Sequence, residues 1–116
     1  MLLALPLQAA TTKVRLVLPV DAVAPGQTVT VGVQLKMQPL WHTYWRNAGD
    51  AGMPTEINWT LPPGVTAGEI QWPIPEKVKF GDLLTYAYNE EVILLVPLSV
   101  APNAAEGAID LKAAVS

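Results

Sequence analysis

The residue types that usually carry chemistry are sparse in this chain. Its 116 residues include no cysteine, so within them there is no disulfide framework, thiolate metal site or cysteine nucleophile. His42 is the single histidine, which argues against a multi-histidine metal site and against a histidine-assisted serine nucleophile. Set among Trp41, Tyr44 and Trp45, it reads as a packing or hydrogen-bonding residue. Asp50, Glu56, Glu69, Glu76, Asp82, Glu90 and Glu91 supply carboxylates, but none stands at a spacing that general acid–base work demands. Most of them read as solvated loop charges. The glycines sit singly in turns, and none opens a helix that could cradle a phosphate. Trp41, Trp45, Trp59 and Trp72 could stack on sugar rings if they lined one face. In a chain with one phenylalanine, filling the core is the stronger demand on them.

The elements that must position these residues are short and extended. One domain fits the length, and 51% apolar against 15% charged residues suits a compact core rather than disorder. Seven basic residues are scattered among ten acidic ones for a net charge of -3, which gives nucleic-acid binding little support. Eleven prolines and eight glycines leave no room for a long helical period. Lys13–Val20 places Val14, Leu16 and Leu18 on one face of a strand, and Ala24-Pro25-Gly26-Gln27 supplies a turn. Thr28–Lys36 then alternates Val29, Val31, Val33 and Leu35 with polar residues, as a half-buried antiparallel strand does. Trp41–Arg46 is a short aromatic stretch, Asn47–Pro54 a loop, and Thr55–Leu61 extended. Ile70–Trp72 is a brief strand that Pro73 and Pro75 stop from continuing. Glu91–Val100 is a near-continuous apolar run expected to be a buried strand, with Pro97 implying an edge or an end. Gly107–Val115 adds a last strand with Ile109, Leu111 and Ala113 on one face. The expected fold class is all-β, an immunoglobulin-like antiparallel β-sandwich of two sheets; a small barrel is the alternative. Met1–Ala10 reads as the remnant of a secretory signal segment, too short to span a bilayer, and residues 11–116 as the domain.

The run W-H-T-Y-W-R-N-A-G-D-A-G-M-P-T, from Trp41 to Thr55, resembles the signature of the amino-terminal domains of DsbD-type and ScsB-type thiol:disulfide interchange proteins. The likeness continues through Ile57-Asn58-Trp59, Leu61-Pro62 with Gly64-Val65, Ile70-Gln71-Trp72-Pro73 with Pro75, Phe80-Gly81, Tyr86, Tyr88 and Val96-Pro97-Leu98. Ala48 departs from the proline common there. The resemblance implies a periplasmic domain of a protein-disulfide reductase whose parent is anchored in the inner membrane and linked to cytochrome c biogenesis and copper tolerance. Such a domain takes reducing equivalents from the membrane domain of its parent and passes them to periplasmic thiol-disulfide oxidoreductases, with the membrane and thioredoxin-like domains of the parent as its other partners. It calls for no cofactor, no nucleic acid and no membrane insertion of the domain itself. The exchange needs a cysteine pair, which the resemblance expects beyond Ser116, so the domain reads as truncated, incomplete at its C-terminus and inactive alone. By the same resemblance Phe80 and Gly81 match the tip of a cap loop that shields the cysteines, and His42 and Tyr44 flank the site. The competing expectation is a non-catalytic envelope module binding carbohydrate through the tryptophans, or copper through His42 with Met37 or Met53.

Overall fold

The structure, a computed structural model, describes residues 2–5, 12–105, 107 and 109–116. These residues form ten strands: β1 (Leu2–Leu5), β2 (Thr12–Val17), β3 (Thr28–Met37), β4 (His42–Gly49), β5 (Ile57–Thr60), β6 (Val65–Ala67), β7 (Glu76–Phe80), β8 (Leu83–Asn89), β9 (Glu91–Val100) and β10 (Ile109–Val115). They assemble as three sheets in the orders β2-β3-β9-β6, β1-β10-β5 and β4-β8-β7. The first two enclose the core as an immunoglobulin-like sandwich. The third forms an arm on a molecule 54 Å long and 23 by 19 Å across.

Alternation builds the body. Val31, Val33, Leu35 and Met37 on β3 point inward and meet Val14 and Leu16 of β2 and Val92, Leu94, Val96 and Leu98 of β9. Leu111 and Ala113 of β10 close the core from the facing sheet. Each fully buried Leu or Val contributes roughly 1.5–3 kcal/mol relative to exposure. The Ala24–Gln27 turn forms as expected: the Gln27 amide donates to the Ala24 carbonyl, with Gly26 at φ 83°, the value a type II turn requires after proline.

Several boundaries differ from the sequence expectation. β9 is not buried on both faces, since Ile93 and Leu95 remain 41% and 42% exposed. Nor is it an edge strand; it lies between β3 and β6. Pro97 fits there because its carbonyl accepts from the Gly68 amide, so the donor that proline lacks faces a side on which β6 has already ended at Ala67. Gln71 makes a single bridge to Leu95, and the edge strand of that sheet is Val65–Ala67. β10 has partners on both sides, antiparallel β5 and parallel β1, with Leu2 opposite Ile109 and Leu5 opposite Lys112. Of the expected signal remnant, only Leu2–Leu5 falls within the described residues.

Candidate functional site

The Trp41–Thr55 signature folds as a strand and a returning loop, not as a strand followed by free loop. It begins at the turn Gln38–Trp41, closed by a 3.0 Å bond from the Trp41 amide to the Gln38 carbonyl. Leu40 occupies the position that favours glycine, at φ 70°, and is 92% exposed. β4 then pairs antiparallel with β8, His42 opposite Asn89 and Tyr44 opposite Ala87. The register breaks there and resumes with Gly49 opposite Thr85, so Trp45–Ala48 bulge out against Tyr86 alone. The Trp45 ring meets Tyr86 edge-on, centroids 5.8 Å apart at 67°, and the Arg46 guanidinium lies 5.2 Å from the centroid of Trp45, within cation–π range.

Beyond the bulge the chain approaches β8 as closely as backbone allows. A Cβ on Gly49 would stand 2.5 Å from the Leu84 carbonyl oxygen, and Gly49 is at φ 86°. The Asp50 amide donates to that carbonyl at 2.9 Å. Its Oδ2 accepts from the Leu84 amide at 2.8 Å. The chain next turns under Tyr44: a Cβ on Gly52, at φ 95°, would sit 2.5 Å from ring atoms of Tyr44, and Pro54 bridges to Tyr44. Thr55 is buried. The two glycines are therefore required for contact and for conformation alike.

This packing buttresses the β7–β8 hairpin. Phe80 stands opposite Leu83 across the two-residue turn Gly81-Asp82. Gly81 is at φ 62°, the first central position of a II′ turn, which suits the twist of a hairpin. The wholly buried Thr85 donates its hydroxyl to the Val78 carbonyl at 3.0 Å. At the foot of the hairpin, the Tyr88 hydroxyl donates to the Pro73 carbonyl at 2.7 Å. Burial pushes the Tyr88 phenol up to about 12, because the apolar surroundings disfavour phenolate. Asn89 donates its side-chain amide to the Glu76 carboxylate.

The expected site residues thus share one small sheet without converging on one point. Gly81 lies at the tip beside Phe80, whose side chain is outside the described part. Tyr44 and His42, both half-buried, lie at the levels of Ala87 and Asn89, about 13 and 20 Å from the Leu83 level by strand rise. They occupy one face with Thr85 and Ala87. Met37, a candidate soft ligand, is a core residue at 5% exposure. Among the described residues no three His, Cys, Asp or Glu side chains gather to hold a metal. Asp50 is an exposed loop residue, as its sequence setting implies, and it also accepts from the Leu84 amide; its position between Gly49 and Gly52 is the sequence signal for that contact, since glycines mark close backbone approach. Ser116, finally, exchanges two backbone bonds with Glu56, at 2.9 and 3.0 Å, two residues past the Pro54–Tyr44 bridge.

Separately, the open side of the sandwich between β5 and β6 holds a cleft of about 460 Å³ lined by Arg46, Ile57, Trp59, Glu69, Ile70 and Trp72, among others. Trp41 and Trp45 do not line it.

A family model for the amino-terminal region of the thiol:disulfide interchange protein DsbD matches residues 12–116. The chain belongs to the DsbD amino-terminal domain family. Within that family, the solved amino-terminal periplasmic domain of ScsB from Proteus mirabilis is similar in fold, with a TM-score of 0.64 at 21% identity. The match covers 95% of this chain and 48% of that one, so the chain spans about half the length of the solved relative. None of the curated proteins compared matches the chain. The domain is periplasmic in homologues, and no helix among the described residues is long and apolar enough to cross a membrane.

Proposed function

We propose that residues 11–116 are the scaffold of a periplasmic redox-relay domain, exported behind the Met1–Ala10 segment. The parent, anchored in the inner membrane, passes reducing equivalents through it from a membrane domain to periplasmic oxidoreductases. The chemistry is thiol-disulfide exchange: a thiolate attacks a partner disulfide sulfur, expels one partner thiolate and forms a mixed disulfide. A second thiol of the domain then attacks that bond, so the domain is oxidised to a disulfide as the partner is reduced. The cysteine pair lies outside residues 1–116, which contain none. Phe80 and Gly81 cap it, and His42 and Tyr44 flank it.

The observation that carries this reading is the use made of the signature: Tyr44, Gly49, Asp50 and Gly52 are spent on fixing the hairpin that ends in Phe80-Gly81. A lid over a dithiol limits oxidation to partners able to displace it. The test is thiol exchange by the parent protein carrying Phe80→Ala. Faster reaction with non-partner thiols is expected, and unchanged rates would overturn the cap. The sequence of the parent beyond Ser116 tests the scaffold reading, which fails if no closely spaced cysteine pair follows.

A second reading, carbohydrate binding, is favoured by the shared cleft of Trp59 and Trp72. Titration with oligosaccharides would show binding lost in Trp59→Ala. The copper reading gains nothing comparable, because Met37 is in the core.

A further inference from the structure

We infer that Asp50 is the positioning residue that sets the hairpin tip in place, an inference that rests on the cap reading of Phe80 and Gly81. Leu84 stands one residue beyond the first residue after the turn, and Asp50 occupies both of its backbone groups: carboxylate to amide at 2.8 Å, amide to carbonyl at 2.9 Å. The carboxylate bond is charge-assisted and therefore stronger than a neutral one.

The topology makes this clamp the attachment nearest the tip on the β4 side. Between Tyr44 and Gly49 the β4–β8 ladder is interrupted by the bulge, and beyond Gly49 the strand ends. β7, the other neighbour of β8, is an edge strand with Lys77 and Lys79 exposed, so it transmits no support from elsewhere. Gly49 serves the clamp: its positive φ turns the chain so that Asp50 faces Leu84, and the missing Cβ permits the approach. Loss of the carboxylate leaves the ladder foot at His42–Tyr44 intact and leaves the end that bears Phe80 held on the β4 side by the Asp50 amide alone.

Amide hydrogen exchange on the whole 116-residue chain tests this. Asp50→Ala should speed exchange at Leu84 about tenfold or more, the range expected for a bond to a charged acceptor, with Leu83 and Asp82 following. Val33 and Leu94 in the sandwich should keep wild-type protection. Asp50→Asn, which retains an acceptor oxygen, should restore most of the protection at Leu84. Unchanged exchange at Leu84 in Asp50→Ala would overturn the inference. So would a uniform rise that includes Val33 and Leu94, since the residue would then hold the fold rather than the tip. The cap reading fails by a different result, a parent protein whose thiol-exchange rates ignore Phe80→Ala.

Discussion

Among the described residues, those with no exposed surface are Val31, Val33, Leu35, Leu94 and Val96 in the sandwich body and Thr85 and Ala87 in the arm. The body excludes water with large branched side chains, whereas the arm, apart from Tyr88 at its foot, does so with small ones, a hydroxyl paired to the Val78 carbonyl and glycines pressed against Leu84 and Tyr44. Burial of area is forgiving of detail as long as volume is kept. Close backbone contact is not, because a single added methyl has nowhere to go. A family signature made of glycines, a carboxylate and aromatics belongs to the second kind of construction, and it lies in the arm.

The comparison can be broken most severely from the body side. Leu94→Ala is expected to cost about 2–5 kcal/mol, read as a lower denaturation midpoint with loss of arm and body together. Gly49→Ala comes next. It pays roughly 1–2 kcal/mol for a left-handed backbone as well as displacement of the Leu84 carbonyl. Its signature in amide exchange is loosening from Gly81 to Leu84 while Val33 and Leu94 stay protected. If Gly49→Ala and Leu94→Ala gave the same exchange pattern, the two regions would be one cooperative unit.

Tyr88→Phe should cost about 1 kcal/mol at neutral pH for the lost bond to Pro73, measured by urea denaturation. It should also change the alkaline limb. The folded phenol titrates at about 12 against 10 for the free side chain, so the native state retains a proton that the unfolded chain has shed. The stability from Tyr88 is therefore complete below pH 10 and lost as pH rises through 12. Tyr88→Phe should flatten the wild-type decline in that window; identical slopes would deny the burial of this group. The smallest effect has the opposite sign. Leu40→Gly relieves a positive φ at a residue 92% exposed and should leave stability unchanged or raise it by up to about 1 kcal/mol, seen as a higher Tm.

The same contrast decides what could be read from the sequence. Val29–Leu35 and Leu111–Ala113 announce themselves because their inward face is apolar at every second residue. β7 and β8 do not: their inward positions include Thr85 and Ala87, and Lys77 and Lys79 interrupt Val78, so no apolar period rises above the surroundings. The sequence reads as an aromatic stretch only to Arg46 and as a loop from Asn47, because a bulge shifts the alternation of β4 and because glycine and asparagine normally signal a loop. The run Val92–Leu98 looked buried on both faces because Ile93 and Leu95 are apolar yet half outside, and Gly32 beneath them leaves a hollow that Ile93 fills, its Cγ2 2.9 Å from where a Cβ would be. The hairpin tip was legible through resemblance, its support was not: a hydrogen bond between Asp50 and Leu84 joins residues 34 apart in sequence, and no local pattern encodes it.

The pairing of β7 with β8 carries a consequence for how the molecule assembles. Phe80 and Leu83 are neighbours along the chain, whereas Val31 meets Val96 and Trp59 meets Ala113 across long loops. Hairpins close in about 1–10 µs, while ladders between distant segments must first meet the entropy of loop closure. The hairpin is thus expected to form early as a nascent turn and to wait, flickering, until β4 arrives with Gly49 and Asp50. Its final angle is acquired late in folding, after the sandwich has brought the two halves of the chain together.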